Sequence, residues 1–244
     1  MGGWAIRDMH QRHGDALTSQ VDHLVIAAST LDEGVAWCER TLGITPGPGG
    51  EHPLMGTHNR LFSIASPLYP RTYFEIIAIN SEAASAINTS ARRWFDLDNE
   101  AQQLQLKQNG PQLIAFVAST PNARTATQAL SRLGIDRGEL LAASRMTVHG
   151  LLAWQITVRN DGQRLMIGAL PTLIEWGDVH PTQNMAASGV TLQSLTASQP
   201  NKDEICAAYA AIGLQGVAVV QGQANLIATL QTPRGFVTLE SKGI

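Results

Sequence analysis

Apolar positions in this chain follow a repeating rhythm. A β-type apolar run gives way to a small polar break, then to a stripe at helical spacing that stops at glycine. Residues 21–44, VDHLVIAASTLDEGVAWCERTLGI, carry it first. Residues 115–135 (AFVASTPNARTATQALSRLGI) and 192–214 (LQSLTASQPNKDEICAAYAAIGL) repeat it. From serine to exit glycine the spacing is fourteen residues in the first copy (Ser29 to Gly43) and fifteen in the others (Ser119 to Gly134, Ser198 to Gly213). Each helix carries start chemistry. Thr30 with Glu33 forms a capping box, Pro121 follows Thr120 at a first helical position, and Asn201 with Glu204 repeats the box. The three glycines suit a left-handed helix stop.

Shorter β-type runs follow each helix: 60–65 and 72–79; then 139–148, 151–159 and 172–177; then 216–221, 225–231 and 235–240. The pattern predicts an α+β chain of repeated βαβββ units. The first spans 21–80, the second 111–178, and a third, βαβββ-like unit spans 189–244. Residues 1–20 read as an N-terminal extension, and 81–110 as a polar connection that is part helix.

Composition narrows the function classes. The 244 residues are 44% hydrophobic and 15% charged, enough for a sizeable core. Seventeen basic and 20 acidic residues give a net charge of −3, with no basic run. Such a surface recruits neither nucleic acid nor an anionic membrane. The first fifteen residues lack a signal-peptide apolar region, and no apolar run reaches the length of a membrane span. A soluble, cytoplasmic protein is expected. Cys38 and Cys206 lie in helices without metal-type spacing and read as buried thiols.

Some residues stand out against the pattern. His23 alternates with Val21 and Val25, so it shares their face of a strand. It either points into a cavity or is satisfied by a local hydrogen bond. Glu75 interrupts the apolar run YFEII, where a buried carboxylate is costly unless paired or metal-bound. Glu175, in LIEWGD, poses the same problem, with pairing to an arginine such as Arg145 as its plainer role. The loop GGEHPLMGTHNRL is glycine-rich, and His52, Thr57 and Asn59 in it are assigned to ligand contact. Arg145, His180 and Trp176 are weaker candidates, the tryptophan as a pocket wall. Nucleophile elbows, Cys-x-x-Cys pairs and dinucleotide fingerprints do not occur.

The D-H-L strand opening, the G-G-x-H-x-x-x-G-T-x-N loop, YFEII, Ala143-Ser144-Arg145 and LIEWGD followed by His180-Pro181 together resemble one group. It is the glyoxalase-like domain family of the vicinal oxygen chelate superfamily, which includes glyoxalase I, extradiol dioxygenases and bleomycin-binding proteins. The resemblance implies cupped mixed sheets with helices on the outer face. It also implies a divalent metal (Zn, Mn, Fe, Ni or Mg) held by residues on the first and last strands of each unit. Carried over, His23, Glu75 and Glu175 are the metal ligands, with Glu75 and Glu175 also catalytic. Substrate contacts fall to His52, Thr57, Asn59, Arg145 and Trp176. Unit two's first-strand position falls near Leu113, which cannot bind metal. A lyase or isomerase acting on vicinal oxygens is the first expectation. A metal-free sequestering protein is the alternative, and a dioxygenase the second alternative. A small-molecule ligand is the expected partner, with pairing of the odd third unit across a homodimer.

Overall fold

The computed structural model describes residues 17–82, 92–147 and 150–243. Most of the expected N-terminal extension and the start of the connection lie outside these residues. The first unit comprises β1 (Ser19–Ala27), α1 (Leu31–Thr41), β2 (Glu51–His52), β3 (Thr57–Ser63) and β4 (Tyr73–Ile79). The connection holds α2 (Glu100–Asn109). The second unit comprises β5 (Gln112–Ser119), α3 (Ala123–Ser131), β6 (Glu139–Thr147), β7 (Gly150–Val158) and β8 (Thr172–Trp176). After it come β9 (Thr191–Gln199), α4 (Lys202–Ala211), β10 (Leu214–Gln215), β11 (Val217–Gln221), β12 (Asn225–Thr232) and β13 (Gly235–Glu240).

Local chemistry sets the helix starts. The Thr30 hydroxyl accepts from the Glu33 N–H at 3.1 Å, as the sequence predicts. In α3 the cap is Asn122, whose side chain accepts from the Thr125 N–H at 2.8 Å; Pro121 precedes the cap instead of opening the helix. Asn201 stands at the N-cap of α4, but its amide donates to the Glu204 carboxylate at 3.0 Å and caps no N–H. Helix α1 lies close on the sheet because Gly34 has no side chain. A Cβ there would sit 2.4 Å from Ile76 Cγ2.

The first two units form one nine-stranded mixed sheet, with the path β2-β3-β4-β1-β5-β8-β7-β6 and β10 added alongside β1. It is an α+β fold of repeated βαβββ units curled into a cup. Around Leu24 and Phe116, paired across the antiparallel β1–β5 junction, the two units exchange by a pseudo-two-fold. His23–Val117 maps onto Val25–Ala115, and Val21–Ala118 onto Ile26–Leu113. The parallel neighbours agree: Val25 beside Glu75 in unit one corresponds to Val117 beside Thr172 in unit two.

Two apolar layers result. On the helix side, Leu24, Ile76, Phe116 and Leu173 pack with α1, α3 and residues of the last unit, among them Leu192, Ile205 and Leu230. Inside the cup, Val25, Ile77, Val117 and Ile174 pack against Phe95, Leu97 and Leu106 of the connection. The last unit repeats the element order but not the pairing. Its first strand, β9, lies between β11 and β12 in a separate four-stranded sheet. It rests on the outer layer and leaves the cup to the first two units.

Candidate functional site

The register places a cluster of polar side chains on the unit-one wall of the cup. In β3 the strand period puts Thr57, Asn59 and Leu61 on one face and His58 and Arg60 on the other. The glycine-rich loop is thus a short hairpin, β2 against β3, and His52 pairs in register with Thr57. Strand β1 skips Asp22 in its pairing with β5. That irregularity brings Asp22 and His23 together, as bulges beside functional sites often re-aim side chains.

The hydrogen bonds form one chain. His23 Nδ1 lies 2.7 Å from Asp22 Oδ1, and its Nε2 lies 3.5 Å from Glu75 Oε2. The other Asp22 oxygen accepts from Trp176 Nε1–H at 2.9 Å and lies 3.0 Å from His180 Nε2. His180 Nδ1 accepts the Thr182 N–H, so Nε2 carries the hydrogen that faces Asp22. On the other flank, Asn59 Oδ1 must accept from the Gly50 N–H at 2.7 Å, which turns its amide nitrogen toward Glu75 Oε1 at 2.6 Å. The same nitrogen is 3.4 Å from His52 Nε2, while His52 Nδ1 is 3.0 Å from the Thr57 hydroxyl. His52 therefore donates from Nδ1 and keeps an Nε2 lone pair on the cup side. Tyr73 stacks on His23 with ring centroids 4.4 Å apart.

Charge follows this geometry. Burial opposes the imidazolium of His23, but Asp22 and Glu75 outweigh it and raise its pKa to about 9. Burial likewise opposes the Glu75 carboxylate, and His23, His52 and Asn59 together hold it below the usual range. Asp22 is also burdened by burial yet held low by His180 and His23. Burial, against the pull of Glu75 and with the charges of Arg145 and His23, lowers the His52 pKa below its ordinary value. The wall is an imidazolium between two carboxylates, beside a second imidazole that burial makes harder to protonate.

His23, His52, Asn59, Glu75, Arg145 and Trp176 all line one cavity of about 50 Å³. Arg145 also borders two larger clefts, of about 520 and 440 Å³. Its Nε has no hydrogen-bond partner among the described residues. Gly50 makes room for it: a Cβ there would sit 1.7 Å from Arg145 Nη1.

Three expectations need correction. Glu175 does not join the cluster. It sits at the counterpart of Ala78, on the helix side, where its carboxylate accepts the Ala123 N–H at 2.8 Å and caps α3. Neither metal ligation nor catalysis in the cup is open to it from there, and Arg145 is not its partner. Thr57 is buried and holds His52 in place instead of facing a ligand. The unit-two counterparts of His23 and Glu75 are Ala115 and Thr172, not Leu113 and Glu175. The N-caps Thr30 and Asn122 correspond, which places the first-strand counterpart at Ala115 and not Leu113, while the strand pairing places the last-strand counterpart at Thr172 and not Glu175. Asp22, Tyr73 and His180 are the residues that sequence reasoning undervalued. The signal for Asp22 was present, since it stands beside His23 in the D-H-L motif.

The donor set bears on the metal. Among the described residues no three His, Cys, Asp or Glu side chains are placed to hold one. His23 and Glu75 would be two ligands, but unit two offers Ala115 and Thr172, and Thr172 already accepts from a buried arginine, Arg137, at 2.7 Å. A centre drawing ligands from both units does not fit these residues.

The cupped sheet with its paired βαβββ units defines a protein of the vicinal oxygen chelate fold. The glyoxalase-like domain family model matches residues 21–213, and the chain belongs to that family. A hypothetical protein from Staphylococcus aureus has a similar structure, with a TM-score of 0.56 at 13% identity over 84% of this chain and 87% of that one. A variant of Streptomyces coelicolor methylmalonyl-CoA epimerase, in complex with 2-nitronate-propionyl-CoA, matches at TM-score 0.41 and 16% identity over 68% of this chain and 99% of its own. Methylmalonyl-CoA epimerase from Mycobacterium tuberculosis matches at 0.37 and 14%, over 67% and 90%. No curated protein matches the sequence. No helix among the described residues is long and apolar enough to cross a membrane.

Proposed function

We propose that this protein is a small-molecule enzyme of the lyase or isomerase type, moving a proton at a carbon beside a carbonyl in an oxygen-bearing, anionic substrate. The observation that carries this reading is Glu75, a buried carboxylate held by an imidazolium at the wall of a cavity instead of by a structural arginine. Its carboxylate is the base. A base held below the usual carboxylate range is weak, so the developing negative charge needs stabilisation. His23 supplies one positive charge at the reacting centre. Arg145 supplies a second, with no carboxylate paired to it among the described residues and two clefts leading to it. Asp22, fixed by Trp176 and His180, positions His23; Asn59 positions Glu75. These side chains carry the step between them.

The test uses a panel of small 2-hydroxy, 2-oxo and 3-oxo acids in D2O, followed by NMR. The wild type should exchange one C–H of at least one member, and Glu75→Gln should slow that exchange by about 100-fold or more, the usual reach of general-base catalysis. The second reading, a metal-free sequestering protein, is favoured by Ala115 and Thr172, which leave one half of the cup without reactive groups. Tight binding of a panel member without exchange in the wild type would replace the first reading with the second.

A further inference from the structure

The unit-two half of the cup contains an electrostatic imbalance of its own. Arg137, just before β6, is 3% exposed, yet only its Nη2 is engaged, donating to the Thr172 hydroxyl at 2.7 Å. Its Nε and Nη1 are buried with no hydrogen-bond partner among the described residues. No carboxylate among the described residues lies within ion-pair distance of it. The neighbouring Arg159 takes Asp136 and Asp161, and Arg164 takes Asp96. Arg137 borders a cavity of about 20 Å³, beside Ala115 and Thr172. Trp94, on the same wall, has a third buried donor without a partner, Nε1.

All three orphan groups are donors, and none of the orphan acceptors in the structure lines this cavity. An uncompensated guanidinium buried in this way is costly, and native proteins pair such charges. We propose that the cavity is a binding site for a small monatomic anion, of the chloride class, held by Arg137 Nε and Nη1. The size argues for this class. A cavity of about 20 Å³ exceeds the ~10–15 Å³ that one water needs, but leaves no room for a carboxylate or phosphate with its substituents. Burial, aided by the like charge of Arg159, pushes the Arg137 pKa down to about 10, as expected of a cation short of its counter-ion. The site stands at the pseudo-two-fold counterpart of His23 and Glu75. The anion would neutralise the far half of the cup as the carboxylates neutralise the near half.

The experiment is thermal unfolding of the full chain at constant ionic strength, exchanging sodium gluconate for sodium chloride. Once chloride passes about ten times its dissociation constant, the wild-type midpoint should rise by about 3–5 °C. Arg137→Met should fold, because replacing a buried charge with an apolar group of similar length is tolerated, and its midpoint should not respond to chloride. Crystals grown in sodium bromide supply the second measurement, with an anomalous peak expected beside Arg137 Nε. A wild-type midpoint indifferent to chloride, an equal response in Arg137→Met, or a cavity holding water in bromide crystals would each overturn the proposal.

Discussion

The two halves of the cup share a backbone and differ in chemistry. Unit one presents His23 and Glu75 at positions where unit two presents Ala115 and Thr172. Around the first pair lie Asp22, His52 and Asn59, a network in which each charge meets an opposite one. Around the second lies Arg137, a cation with no ion-paired carboxylate among the described residues. Of the two units, the first therefore carries the ionisable pair at these positions and the second does not. The scaffold alone does not dictate chemistry. Two copies of one repeat can thus keep the same backbone pairing while one keeps its polar residues and the other replaces them.

Breaking the near half should cost most. Glu75→Ala takes one of its two carboxylates from the buried His23 and leaves the Asn59 amide without its acceptor. It should lower unfolding free energy by about 3–5 kcal/mol, read from urea denaturation. The same treatment of the far half, Thr172→Ala, removes one hydrogen bond and should cost about 1–2 kcal/mol. Equal losses would erase the distinction between the halves. Asp22→Asn should cost about 2–3 kcal/mol, because the His23 charge loses a partner while Trp176 Nε1–H and His180 keep an acceptor.

The near half should also dominate the pH dependence. His23 has a folded pKa raised to about 9 from an ordinary value of 6.5. A raised pKa stabilises the fold fully below the unfolded value and loses that contribution as pH climbs through the folded one. The thermal midpoint should therefore fall between about pH 6.5 and 9, and Glu75→Gln should flatten the fall. Gly50→Ala tests the boundary of the site. Its Cβ would displace Arg145, and anionic ligands found by the exchange panel should bind about ten-fold more weakly, with unfolding free energy lowered by about 1 kcal/mol. The smallest effect belongs to Glu175→Gln. Loss of its charge at the start of α3 should cost about 0.5–1 kcal/mol and leave ligand exchange unchanged.

Much of this architecture could be read along the chain. Helix caps, glycine stops and strand periods are local signals, and they located the βαβββ order and most element positions. His23 and Glu75 stood out because each breaks an apolar run. What stayed hidden depends on register. Whether Glu175 or Thr172 matches Glu75 turns on a shift of three residues, and with a period of two an odd shift moves the side chain to the other face, which only the neighbouring strands decide. Likewise, the separate sheet of the last unit follows from pairing β9 with β11 and β12, which no local pattern encodes. Asp22, Trp176 and His180 meet across more than 150 residues of sequence, and only the closed cup brings them together.

The central claim is that His23 is an imidazolium clamped between two carboxylates in the near half of the cup. NMR titration of its ring nitrogens reads this directly and needs no substrate. The account predicts a midpoint near 9 in the wild type, unchanged in Thr172→Val and lowered in Glu75→Gln. A wild-type midpoint close to 6.5, or one that Glu75→Gln leaves in place, would contradict it.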